Sequence, residues 1–248
     1  MRVAALYDVH GNLPALEAVL RDVRKASVDL VVVGGDVLPG PMPRESLAAS
    51  ANLDLPVRFI RGNGEREVLA ARAGAANERL PENAREVIRW TADRLTAEEA
   101  QWPAQWPQTL TLEIPGLGAV LFCHATPRSD VELFTRLTPE DRLREVFAPV
   151  EAALVVCGHT HMPFDRRVGK VRVVNAGSVG MPFGEPGAYW LLLGPGVELR
   201  RTPYDLRAAA DRIRATDYPQ AEAFATESIL HPPSEAKMLE LFEKSALR

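Results

Sequence analysis

Four of the five histidines in this chain stand directly behind apolar runs, in the company of aspartate, asparagine and glycine. His10 follows Asp8 after the run at residues 3–7, His124 follows residues 119–123, and His159 and His161 follow residues 154–157. Asp36 and Asn63 occupy the same kind of place behind residues 30–33 and 56–60, and only His231 lies elsewhere. Imidazole is the commonest metal-binding side chain, and carboxylate and carboxamide oxygens suit the same divalent ions. Taken singly, each residue has another reading. Asp8 and Asp36 would serve as turn or cap residues, Asn63 as a left-handed turn residue between glycines, His124 as a hydrogen-bonded core histidine, and His159 and His161 as exposed loop residues. Taken together, four imidazoles, two carboxylates and one carboxamide exceed what a single tetrahedral ion with an open position can use. They suit two ions roughly 3.5–4 Å apart that share a carboxylate.

Such a site needs elements that bring seven scattered residues to one place. Residues 3–7, 30–33 and 56–60 read as strands, the second of them buried. Helices are expected between them, the first with Leu13, Leu16, Val19, Leu20 and Val23 on one face and Pro14 in its first turn. A second, short helix is expected at about residues 44–52. This alternation predicts a largely parallel sheet flanked by helices, and ligands bind beyond the carboxyl ends of such strands. Residues 66–108 read as a helical excursion, with Thr96 and Glu99 at capping-box spacing. Trp102 and Trp106 at its end are expected to pack against the sheet rather than form a ligand platform. Residues 109–114 and 119–122 form a hairpin that delivers His124, Pro139 opens a further helix, and residues 166–174 and 188–201 read as strands of a second sheet. The tail from about 205 to 248 reads as two or three helices, with Ser234 an N-cap. One domain spanning residues 1–248 is expected.

Composition limits the function. The chain has 248 residues, 46% hydrophobic and 25% charged, enough for a sizeable core. A net charge of −4 argues against an extended nucleic-acid partner, which needs a basic face. It leaves room for a phosphorylated small molecule at a metal site. No run approaches the roughly 20 apolar residues of a membrane helix, and Asp8 interrupts the opening stretch too soon for a signal peptide. A cytoplasmic protein is expected, with Cys123 and Cys157 reduced in the core.

In order along the chain, Asp8-x-His10, Gly35-Asp36, Gly62-Asn63, His124 and Gly158-His159-x-His161 resemble the motifs of the calcineurin-like metallophosphoesterases. The match spans about residues 3–180. The strings Asp8-Val9-His10-Gly11-Asn12-Leu13, His124-Ala125-Thr126-Pro127-Arg128 and Asn175-Ala176-Gly177-Ser178-Val179-Gly180 are similar to the small prokaryotic phosphodiesterase branch. The resemblance implies an α/β fold, a four-layer α/β/β/α sandwich of two mixed sheets. It also implies one ion held by Asp8, His10, Asp36 and His161, and a second held by Asp36, Asn63, His124 and His159. Asp36, Asn63 and His124 carry the catalytic roles in this reading. Manganese is the expected ion, with iron, nickel, cobalt and zinc as alternatives. The implied reaction is attack of a metal-bridging hydroxide on a phosphodiester or phosphoanhydride, a diester in preference to a monoester.

One departure from the family pattern has a chemical consequence. Many members carry histidine directly after the Gly-Asn asparagine, where it protonates the leaving group; here that residue is Gly64. Loss of a positioned acid removes about 10²–10⁴-fold with a poor leaving group. Esters with weakly basic leaving groups, such as aryl esters or anhydrides, are therefore the expected substrates. Glu65 is a possible substitute, although a carboxylate at a helix start reads better as a dipole partner. Asn12, Arg66 and Arg128 are candidate phosphate contacts, each with a plain surface or loop alternative. The segment 66–108 and the tail around His231 are the expected walls of the substrate site. A nucleotide-like substrate and a homodimer are both compatible with the chain. The alternative function is a non-catalytic protein-binding scaffold on the same fold; erosion of the ligands would mark it, whereas all seven are present.

Overall fold

The computed structural model describes residues 1–247. Two five-stranded sheets pack face to face. The first has the order β10-β9-β1-β2-β3, built from β1 (Val3–Leu6), β2 (Leu30–Val33), β3 (Val57–Phe59), β9 (Ala188–Leu193) and β10 (Val197–Thr202). The second has the order β4-β5-β6-β8-β7, from β4 (Thr109–Ile114), β5 (Gly118–Cys123), β6 (Leu154–Cys157), β7 (Phe164–Val168) and β8 (Val171–Asn175). Strands β1, β2 and β3 run parallel, as do β5, β6 and β8, and antiparallel pairs complete each sheet.

Successive residues of a strand face opposite ways, and β1 divides its side chains accordingly. Val3 and Ala5, with Tyr7 beyond the strand end, join Val120, Phe122, Leu154 and Val156 in the layer between the sheets. Ala4 and Leu6 face α1 (Leu13–Lys25), whose Leu16, Val19, Leu20 and Val23 form the outer core of the first sheet. The second sheet turns Cys123, Val155, Cys157 and Val173 toward α6 (Glu140–Phe147). Three apolar layers between four layers of elements give the α/β/β/α sandwich. Both cysteines are buried thiols.

The strands at residues 188–201 depart from the sequence expectation. They are two strands, β9 and β10, and they extend the first sheet rather than the second, with β9 antiparallel to β1. Residues 166–174 likewise form a hairpin, β7 and β8, in the second sheet. Periodicity reports that a strand has a buried face but not which neighbour it pairs with.

The excursion contains α3 (Asn63–Arg72), α4 (Glu82–Arg94) and α5 (Ala97–Ala104), preceded by α2 (Pro43–Ala51). Thr96 and Glu99 exchange the two capping-box bonds at the start of α5. Trp102 and Trp106 pack on Phe59 of β3, with ring centroids 4.7 and 4.6 Å away, so they belong to the core. The tail forms α7 (Leu206–Arg214), α8 (Ala221–Phe224) continued as a π-helix (Ala225–Leu230), and α9 (Glu235–Glu243) capped by Ser234. It packs against α4, Tyr218 meeting Trp90 at 5.1 Å.

Candidate metal centre

The loops that leave β1, β2, β5 and β6, together with the first residue of α3 behind β3, bring all seven candidate ligands to one end of the sandwich. Asp8, His10 and His161 form one group and Asp36, His124 and His159 another, with ligand atoms in each group within 4.8 Å of one another. His10 Nε2 lies 3.1 Å from His161 Nε2, and His161 Nε2 lies 3.4 Å from Asp8 Oδ1. In the second group His124 Nε2 lies 3.4 Å from Asp36 Oδ1. The other Asp36 oxygen faces His10 Nε2 at 3.8 Å, so this carboxylate reaches toward both groups. Asn63 completes the second group, its carboxamide oxygen 3.1 Å from His124 Nε2.

The backbone at these ligands is unusual. Asp8, His10, Asp36, His159 and His161 all adopt φ between 47° and 68°, and Ser27 is the remaining non-glycine residue with positive φ among the described residues. Each such residue costs about 1 kcal/mol or more, and this concentration in the ligand loops marks a site maintained against local preference. Asn63 is not among them: it opens α3, so the left-handed turn reading fails for this residue.

Buried hydrogen bonds hold the geometry. The Nδ1–H of His161 donates to the Met181 carbonyl at 2.8 Å and that of His124 to the Gly34 carbonyl at 3.0 Å, a tautomer that leaves each Nε2 lone pair for the cluster. The His159 N–H donates to Asp8 Oδ2 at 2.9 Å. Gly158 permits this approach, since a Cβ there would stand 2.4 Å from the same oxygen. Asn175 donates to the Gly158 carbonyl at 2.6 Å, and Ser178 to the Asp8 carbonyl at 2.7 Å, so the string 175–180 braces two ligand loops.

Glu65 serves as a third brace. It is fully buried and accepts the N–H groups of Asp36 and Gly62 on one oxygen (both 2.9 Å) and of Leu38 on the other (3.0 Å). Burial and the neighbouring Asp36 charge push its carboxyl up to about 7, while the three N–H donors pull the other way. With both oxygens engaged, Glu65 cannot reach a leaving group. Its helix-start position was visible in the sequence; its hold on the Asp36 loop was not.

The ionisation of the ligands follows from burial and mutual proximity. Burial pushes His10 and His159 down to about 4, which keeps both neutral. Burial also opposes charge on His124, yet the Asp36 carboxylate beside it lifts this histidine to about 10, so without a cation Nε2 takes up a second proton, which a metal ion at that nitrogen would have to displace. Conversely, burial resists ionisation of Asp36 and Asp8, but the surrounding imidazoles hold both carboxyls below the usual range.

The donor set fits divalent cations on an independent observation. Asp8 Oδ1 is buried without a hydrogen-bond partner, a costly state unless a positive charge lies beside it. The Nε2 atoms of His10 and His161 likewise face each other, and His161 has already committed its proton to Met181. The Asn63 oxygen is surrounded by His124 Nε2, His159 Nδ1 and the Asp130 carbonyl at 3.0–3.1 Å. Nitrogen at that place would donate to both rings and to the Asp130 carbonyl, whereas oxygen there would need a cation between it and the rings.

The expected phosphate contacts are differently employed. Asn12 is fully buried, caps α1 by accepting the Ala15 N–H at 3.2 Å, and donates to the Gly180 carbonyl at 2.9 Å. Its carboxamide is thus a loop brace. The Arg66 guanidinium forks onto Asp130 and also pairs with Glu67. Arg128 pairs with Glu132 and lines a groove beside α6. Neither arginine is directed at the cluster by the pairs it makes.

A two-sheet sandwich with nitrogen and oxygen donors gathered at its strand ends is of the metallophosphoesterase class. Comparison with known proteins agrees: the model of the calcineurin-like phosphoesterase superfamily domain matches residues 1–193. The chain belongs to that superfamily, whose members bind divalent metals. An uncharacterized protein of Methanocaldococcus jannaschii is 27% identical over 238 residues, covering 88% of this chain and 94% of its own. The crystal structure of a metallophosphoesterase from Sphaerobacter thermophilus matches with a TM-score of 0.72 at 26% identity, over 91% of this chain and 98% of that one. That of a hypothetical protein from Pyrococcus horikoshii OT3 matches with a TM-score of 0.78 at 22% identity, over 94% and 99%.

Proposed function

We infer that the chain is a dinuclear metal-dependent phosphoesterase, acting on phosphodiester or phosphoanhydride bonds in preference to monoesters. The observation that carries this reading is the unpartnered, buried Asp8 Oδ1 at the focus of imidazole lone pairs. Asp8, His10, Asp36 and His161 would hold one cation, and Asp36, Asn63, His124 and His159 the second. Two divalent cations there would supply Lewis acidity, lowering the pKa of coordinated water and neutralising charge that develops at phosphorus. Manganese is our choice of ion. One catalytic domain, a cytoplasmic setting and a phosphorylated small-molecule substrate complete the reading; no described helix is long and apolar enough to cross a membrane.

The chain itself orients and withholds. The Met181 and Gly34 carbonyls each take the Nδ1 proton of an imidazole and aim its Nε2 at the cluster, and Glu65 keeps the Asp36 and Gly62 loops in register. No side chain at position 64 gives a proton to the departing oxygen. A Cβ there would lie 2.0 Å from the Leu38 carbonyl oxygen, so the fold has closed this place to a histidine. The leaving group therefore departs with its own basicity exposed. Rates across phenols of differing acidity should rise steeply with acidity; a flat dependence with chemistry limiting would contradict this.

The non-catalytic scaffold is the competing function. Elemental analysis combined with hydrolysis of bis(p-nitrophenyl) phosphate separates the two. Protein that holds manganese and hydrolyses the ester supports the enzyme; protein that is metal-loaded and inert supports the scaffold.

A further inference from the structure

Beside His10 lies a cleft of about 290 Å³ whose far walls are not part of the sandwich. One wall is α4, the other the tail at residues 218–228, which lies beyond the stretch matched by the superfamily model. Val87, Met181, Tyr218 and Phe224 give it apolar faces. Asn83, Glu227 and Ser228 stand among them; Ser228 is buried, whereas Asn83 and Glu227 are exposed at the rim, where the Asn83 carboxamide and Glu227 carboxylate have no hydrogen-bond or ion-pair partner among the described residues. The cleft contains no lysine or arginine. Glu227 and Ser228 are carried by the π-helix, where His231 N–H bonds back to the Thr226 carbonyl at 2.8 Å. Single π turns of this kind recur at functional sites. His231 itself is exposed and does not line the cleft.

These features select an occupant by chemistry. The volume is at the small end for ligand sites, enough for one ring system rather than a polymer. Apolar and aromatic walls favour a flat ring, the Glu227 carboxylate and the Asn83 carboxamide oxygen favour donors on its edge, and a carboxylate with no lysine or arginine in the lining opposes a second phosphoryl group at the far end of the cleft. We propose that the cleft between α4 and the π-helix is the subsite for one ester substituent of the substrate, a neutral ring-bearing group with hydrogen-bond donors, and that it excludes a further phosphate. This rests on the phosphoesterase reading and narrows it from anhydrides toward diesters.

Three substrates with the same chromogenic leaving group test the subsite: p-nitrophenyl phosphodiesters whose second substituent is adenosine, methyl or 2-phosphoethyl. The manganese-loaded protein should favour adenosine over methyl by about tenfold in kcat/KM, the scale of one ring buried on apolar walls, and disfavour 2-phosphoethyl. Ala84→Trp from α4 and Ala223→Trp from the tail fill the cleft from opposite sides, and each should bring the adenosine-to-methyl ratio to near unity; either variant suffices if the other melts early. Glu227→Lys should raise 2-phosphoethyl above methyl. No preference in the wild type, or a preference that survives both tryptophans, overturns the subsite while hydrolysis of the methyl ester upholds the parent reading. If no ester is hydrolysed the parent reading fails, and calorimetry of adenosine with chelator-treated protein still decides the cleft. Binding lost in Ala84→Trp supports it; no binding to the wild type refutes it.

Discussion

Restoring the missing acid should damage this protein. A histidine at position 64 is the obvious repair for a family member that lacks one, and a purely chemical argument expects a gain of about 10²–10⁴-fold with alkyl leaving groups. The structure argues the reverse. The new Cβ would stand 2.0 Å from the Leu38 carbonyl oxygen and 2.9 Å from Asp36 Oδ1, both within a loop anchored by Glu65. Forcing the loops apart costs about 1–3 kcal/mol for the overpacking. It also threatens the 2.7 Å bond from the Gly64 N–H to the Asp36 carboxylate, for which about 1.5–3 kcal/mol is typical with a charged acceptor. A loss of about 3 kcal/mol lowers Tm by about 6–12 °C in a chain of this size. Displacement of Asp36 should weaken cation binding about 10–100-fold. Thermal melting and a manganese titration of Gly64→His and Gly64→Ala measure both effects, and alanine, which has the same Cβ, should suffer nearly as much. A Gly64→His protein that melts with the wild type and accelerates alkyl diesters a hundredfold would refute the reasoning.

Other expectations follow from the same contacts. Glu65→Gln offers one acceptor oxygen to three N–H donors and leaves at least one buried donor facing an amide; a loss of about 1–3 kcal/mol is expected in denaturant titration, and unchanged stability would show that the brace is dispensable. Manganese at about 100 times its Kd should stabilise the wild type by about 2.7 kcal/mol. Asp8→Asn should largely abolish that increment, and an equal increment in the variant would remove Asp8 from the ligand set. The acid limb of chelator-treated protein carries a third signature. His10 and His159 sit near 4 in the fold against an ordinary value of 6.5, so the unfolded chain binds more protons between these values. Their stability contribution is present above pH 6.5 and lost as pH falls toward 4. His10→Asn should make this loss shallower; an identical acid limb in the variant would contradict the assigned protonation.

The candidate metal ligands were legible because their types are scarce and their places uniform: each follows a strand, and open α/β sheets bind ligands at that end. The helical faces, the Thr96 and Ser234 caps and the core role of Trp102 and Trp106 were legible for a similar reason, since local spacing carries them. What stayed hidden depends on partners distant in the chain. β9 alternates as any half-buried strand does, and nothing local says that Leu191 lies opposite Ala5. Arg66 and Arg128 read as phosphate grips by proximity in sequence, but Asp130 and Glu132 claim their guanidinium groups. Glu65 looked like a helix-dipole carboxylate, and only the fold brings Asp36 and Leu38 against it.

Each ligand group draws on both halves of the molecule. Asp8 and His10 come from the first sheet and His161 from the second; Asp36 comes from the first, His124 and His159 from the second. A cation seated in either group would act as a rivet across the seam, and neither half alone presents a complete set of these candidate donors. Assembly of the two halves would then come before tight capture of any ion, and chelation of metal-loaded protein should loosen the seam at this end first, while the opposite end of the sandwich keeps its apolar grip.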